Sequence, residues 1–135
     1  MADRYFTPEE ANALLPQVRP LVEEMVSHRR ALARATVRHS RIATKIAGNG
    51  GGVDPHEIDQ LQEQIDAEAA AVVEAVESLQ RLGAQVKDLD EGLLDFPALR
   101  GDEEVLLCWQ LGEDEIAYWH TLEAGFAGRR PLPLE

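Results

Sequence analysis

A single cysteine, Cys108, stands in a chain of 135 residues, so no internal disulfide can form and a reducing cytoplasm is the expected compartment. No apolar run approaches the roughly 20 residues of a membrane span, and no signal-peptide pattern opens the chain, so no membrane association is expected. There is no glycine-rich phosphate loop after a strand, no paired-cysteine metal spacing and no Ser-His-Asp signature. These absences remove the common motif-bearing enzyme classes, and no cofactor is predicted. Aromatic side chains are also scarce, which makes their placement informative: both tryptophans and one of two tyrosines fall within Arg100–His120.

What is abundant is negative charge. The net charge of −12 favours solubility and makes nucleic acid an unfavoured partner. The distribution is uneven. Met25–Val53 holds no acid but carries Arg29, Arg30, Arg34, Arg38, Arg41 and Lys45, whereas Asp54–Gln80 holds no lysine or arginine but carries eight acids.

Two long helical patterns coincide with these blocks. Thr7, Pro8 and Glu10 form a capping box with proline at the first helical position. Pro16 and Pro20 then predict a short helix and a kink, because an interior proline loses a hydrogen bond and clashes with the preceding turn. From Leu21 to Ala47 a longer helix is expected, with Leu21, Met25, His28, Leu32, Ala35, His39, Ile42 and Ile46 on a coiled-coil-like seam. Gly48-Asn49-Gly50-Gly51-Gly52 should end it with a left-handed cap and mark a hairpin tip. Asp54 and Pro55 open the next helix, whose stripe is Ile58, Leu61, Ile65, Ala69, Val72, Val76 and Leu79, ending at Gly83. Folded back, the basic half lies beside the acidic half. Opposite charge then opposes slipped pairings more than it stabilises, since an exposed pair is worth roughly 0–1 kcal/mol.

Period-two patterns follow. A short strand is expected at 84–88, a turn at Asp90-Glu91-Gly92, and a second short strand at 93–96 that stops at Pro97. Glu104–Leu111 and Ile116–Leu122 alternate as half-buried strands around an acidic turn at Gly112–Glu115. The pairing register decides whether Cys108 and His120 meet. An even sum of paired residue numbers, 226 or 228, places both on one face; an odd sum separates them. The C-terminal segment, with Pro131 and Pro133, reads as loop.

The expectation is therefore an α+β fold in a single domain, 1–135. Its helical part is 8–82, its antiparallel sheet of three or four strands lies within 84–122, and 123–135 is a C-terminal loop. Three blocks also resemble a prokaryotic family described as domain of unknown function 2203. They are Phe6–Pro16; Val86-Lys87-Asp88 with Gly92–Pro97 and Arg100; and Leu107-Cys108-Trp109 with Gly112-Glu113, Trp119-His120, Gly125-Phe126 and Arg129. The resemblance covers nearly the whole chain and implies no activity, substrate or cofactor.

With no catalytic motif, the chain reads as a non-enzymatic cytoplasmic interaction or accessory protein, homodimeric through its helices or bound to another protein. The alternative is a small-molecule or metal site beside His120, between the sheet and the C-terminal loop. Its candidate lining is Asp88, Asp95, Arg100, Trp109, Glu113, Trp119, His120 and Arg129, since aromatic walls with a few convergent charges suit a ligand. Cys108 and His120 are the candidate metal ligands, joined by Asp88, Asp90 or Asp95. A remoter alternative is RNA binding or ribonuclease action through the basic helix. Arg34 and His39 there have an Arg-x4-His spacing similar to that of the helical HEPN ribonucleases.

Overall fold

Thr7 begins the first helix as the capping box requires. Its side chain accepts from the Glu10 N–H at 3.1 Å, and the Glu10 carboxylate accepts from the Thr7 N–H at 2.9 Å. In the computed structural model, which describes residues 2–48, 52 and 54–134, the helix runs unbroken as α1 (Pro8–Ala47). The expected short helix and break do not occur. Pro16 and Pro20 lie four apart on the exposed face, so the Asn12 and Pro16 carbonyls that lose donors are on the side open to water. Meanwhile Ala11, Leu15, Val18, Val22 and Met25 are buried on the inner face, and that packing overrides the local proline signal. Gly48 closes α1 at a negative φ of −96°; Asn49, Gly50 and Gly51 lie outside the described residues.

Asp54 caps α2 (Pro55–Arg81) by accepting from the His56 N–H. The helices pack antiparallel, as the cross-pairs His28–Glu68 (2.9 Å) and Arg38–Glu57 (3.4 Å) require. The apolar seam is buried where a sheet lies beneath it and thins out towards the tip. At the other end, Gly83 turns the chain at φ +100°, where a Cβ would lie 2.5 Å from the Phe6 ring.

The sheet is an antiparallel meander of five strands: β1 (Gln85–Asp88), β2 (Leu93–Arg100), β3 (Glu103–Gln110), β4 (Tyr118–Thr121) and β5 (Arg130–Pro131). Two expectations needed correction. First, β2 does not stop at Pro97. The Pro97 carbonyl accepts from the Phe6 N–H at 2.7 Å, so the backbone polar groups of Pro97 point away from β3 and past the end of β1, where a missing N–H removes no ladder bond. Second, the C-terminal segment is not all loop. It makes a single 3₁₀ turn at Phe126–Gly128 and then pairs as β5, with Pro131 on an edge strand where proline is tolerated.

Val105 pairs with Thr121 and Leu106 with His120, sums of 226, so the even register holds. Alternation then sorts the side chains. Leu94, Phe96, Ala98, Val105, Leu107, Trp109 and Trp119 face the helices and share one buried cluster with Val18, Val22, Met25 and Leu79. Asp95, Leu106, Cys108 and His120 occupy the opposite face, and they too are buried.

Candidate functional site

The outer sheet face would be expected to be polar and wet. Here it is covered by the returning C-terminal segment, and beneath the cover lie three chemically active side chains on three adjacent strands. Asp95 on β2 is directly opposite Cys108 on β3. His120 on β4 sits one pleat further along, two residues from Tyr118, the partner of Cys108. One potential ligating atom from each of Asp95, Cys108 and His120 lies within 4.8 Å of the other two.

The hydrogen bonds fix the histidine. His120 Nδ1 lies 2.8 Å from the Thr121 carbonyl oxygen, which can only accept, so Nδ1 carries a proton. That anchor turns Nε2 towards the cluster, 3.0 Å from Asp95 Oδ1. A lone pair facing a carboxylate oxygen at this distance would be repulsive, so one proton lies between Nε2 and Oδ1. Both residues are at most 3% exposed, and a buried charge is tolerated only in such a paired arrangement. Burial pushes the Cys108 thiol up to about 12, and the neighbouring Asp95 carboxylate adds to the shift. Cys108 is therefore a protonated thiol, not a standing nucleophile.

A cavity of about 230 Å3 opens beside the pair, lined by Asp95 and His120 together with Lys87, Leu93, Leu106, Leu122, Gly125 and Phe126. Lys87 and the four apolar residues were not among the sequence candidates. Strand alternation could have placed Leu93 and Leu106 on this face, but no pattern announces that the segment after β4 folds back over it.

The other sequence candidates disperse. Trp109 and Trp119 belong to the helix-facing core, with Trp109 Nε1 donating to the Glu113 carbonyl at 3.0 Å. Asp88 is a turn residue, accepting from the N–H groups of Asp90 and Glu91. Arg100 ties down the chain end: its Nε donates to the Leu134 carbonyl, and its guanidinium lies over the Trp119 ring. Arg129 donates to both Glu113 carboxylate oxygens at 2.8 and 2.9 Å, between the Tyr118 and Phe126 rings, and so pins the covering segment to the sheet. This ion pair stands close enough to Cys108 to act on its thiol, Arg129 lowering and Glu113 raising its proton affinity. Arg129 Nε is buried and has no hydrogen-bond partner among the described residues.

No described helix is long and apolar enough to cross a membrane. No curated protein and no solved structure matches the chain. A family model does, over residues 4–132, and by that match the chain belongs to the uncharacterized conserved proteins of the DUF2203 family.

Proposed function

We propose that the protein binds a divalent metal ion through Asp95, Cys108 and His120 and presents it to a small molecule in the adjoining cavity. The observation that carries this reading is the convergence of three different donor types, all buried, with the His120 ring already anchored at Nδ1. Histidines that ligate through Nε2 are commonly held in this way, by a carbonyl or carboxylate on the other nitrogen. A thiolate, an imidazole and a carboxylate suit zinc best, and three protein ligands leave one tetrahedral position for water or a ligand. Such a centre polarises what it holds and acidifies bound water, so the site has the makings of Lewis-acid chemistry.

Two protons stand where the ion would act: the one on Cys108 and the one between His120 Nε2 and Asp95 Oδ1. Calorimetric zinc titration in buffers of different ionisation enthalpy should therefore show a 1:1 complex releasing about two protons. Cys108→Ser keeps the shape of the site and should weaken zinc binding by more than tenfold, and His120→Ala should abolish it. A titration without saturable zinc uptake, or uptake unchanged in both variants, would leave Asp95–His120 as a structural ion pair joining β2 to β4.

A second reading, a homodimer through the distal half of the hairpin, is supported by a different observation. Arg30, Arg34, Arg38 and Arg41 are exposed on α1, and Asp59, Glu63 and Asp66 are exposed on α2. A second copy laid alongside would set each charged face against its opposite. Sedimentation at low and high salt tests this. A dimer that dissociates with salt supports it, and a monomeric mass at low salt and tens of micromolar protein removes it.

A further inference from the structure

The cavity beside His120 is small, mostly apolar and asymmetric in charge. At about 230 Å3 it lies below the range of roughly 300–1,000 Å3 typical of sites for drug-sized ligands, so its occupant has few heavy atoms. Leu93, Leu106, Leu122 and Phe126 form its walls, which suit a compact hydrocarbon body. Lys87 is the one cation in the lining, and it has no ion-pair partner among the described residues.

The cation limits the ligand further. Lys87 offers a single ammonium group, and no carboxylate among the described residues pairs with it, so it leaves one uncompensated positive charge at the cavity. A monoanion balances it. A phosphate dianion would overshoot, and it would find only one cationic donor for its three charged oxygens.

We propose that this cavity takes a small monocarboxylate with a branched or aromatic body, its carboxylate towards Lys87 and its body against Leu106, Leu122 and Phe126. The assignment goes beyond the metal reading and stands without it, because it rests on Lys87 and the apolar walls, none of which is a proposed metal ligand.

The test uses the full-length protein with benzoate and 3-methylbutanoate as probes and benzamide as the neutral control, in metal-free and zinc-titrated samples. Metal content is measured on each sample. Amide shifts in NMR titration should saturate and centre on Leu93, Leu106, Leu122, Gly125 and Phe126. Lys87→Met is an exposed substitution that leaves the Asp95, Cys108 and His120 side chains in place. It should weaken benzoate binding at least tenfold and leave benzamide binding unchanged. Equal binding of benzoate and benzamide, benzoate affinity untouched by Lys87→Met, or shifts away from the cavity each overturn the assignment. Zinc uptake without carboxylate binding defeats this inference and leaves the metal reading standing. Carboxylate binding without zinc uptake does the reverse.

Discussion

At the scale of single residues, burial decides what Cys108 and Asp95 can do. Cys108 has no exposed surface, and its thiol is held in the protonated form by burial and by Asp95. In metal-free protein, a thiol reagent at pH 8 should label Cys108 only as fast as the protein opens, and rapidly once denaturant unfolds it; fast labelling of native protein would contradict the burial. The same shift carries a pH consequence. The folded thiol titrates at about 12 and the unfolded one near 9.0, so the unfolded state loses its proton first as pH rises. The contribution to stability is fully present below 9.0 and declines between there and about 12, which denaturation midpoints at pH 8 and pH 10.5 would register. For Asp95, truncation to alanine leaves His120 in a dry site without its partner. Losses of this kind cost about 3–5 kcal/mol. Asp95→Asn keeps an oxygen acceptor for Nε2–H and should cost clearly less, as thermal melts of the two variants would show. Asp95 and His120 were legible as candidates from their types beside the tryptophans. Alternation along each strand puts Trp119 across the sheet from His120 and Trp109 across from Cys108; what the loop after Gly112 left open was the register that brings both tryptophans to one face.

At the scale of elements, the readings that held were those in which local pattern and tertiary burial agree. The Thr7 capping box, the Asp54 cap and the glycine turn at Gly83 belong to that class; β3 forms where the period of two placed it, but it is buried on both faces and not half-buried. The readings that failed rested on proline alone. Pro16 and Pro20 sit on the exposed face of α1, where the Asn12 and Pro16 carbonyls left without donors are open to water, and Pro97 and Pro131 sit where the lost N–H would have pointed past a strand end or away from the sheet; sequence spacing does not encode that placement. For α1 this makes a quantitative expectation. An interior proline costs a helix about 3 kcal/mol relative to alanine, part of which is returned because proline also restricts the unfolded chain. Pro20→Ala restores a donor for the Pro16 carbonyl on the exposed face and should stabilise the protein by about 1–2 kcal/mol, a rise of several degrees in Tm. An unchanged or lower Tm would mean that the proline shapes the helix to fit the sheet. The fifth strand was hidden for the same reason as the cavity. A two-residue strand ending in proline has no periodicity to detect, yet it closes the edge beyond Tyr118 and Trp119 and anchors the preceding segment, whose Leu122, Gly125 and Phe126 line the cavity on the outer face.

At the scale of the whole molecule, the helices outreach the sheet. α1, with 40 residues, extends about 60 Å at 1.5 Å per residue, whereas the eight-residue strands β2 and β3 span about 27 Å. The proximal half of the hairpin therefore buries a broad stripe against the sheet, and the distal half packs only helix on helix. Burial follows that division. Between Ser40 and Gln60 no described residue is buried, whereas Leu15, Val18, Val22, Met25, Val72, Ala75 and Leu79 near the sheet all are. Stability should be graded in the same way, highest in β2, β3 and the proximal helices and lowest at the tip. Excising 40–60 and joining the helices with a short glycine turn removes Arg41, Lys45, Asp54, Glu57 and Asp59 but little of the core. The shortened protein should remain folded, lose only a few degrees of Tm, keep Cys108 protected from thiol reagents, and retain whatever zinc and benzoate affinity the full chain has. The variant keeps Arg30, Arg34, Arg38, Glu63 and Asp66, so a dimer built through the hairpin's outer half should weaken rather than vanish, with sedimentation showing a larger monomer fraction than the full chain at equal salt. Loss of Cys108 protection on excision would instead mean that the tip supports the sheet from a distance, against the separation that the burial pattern describes.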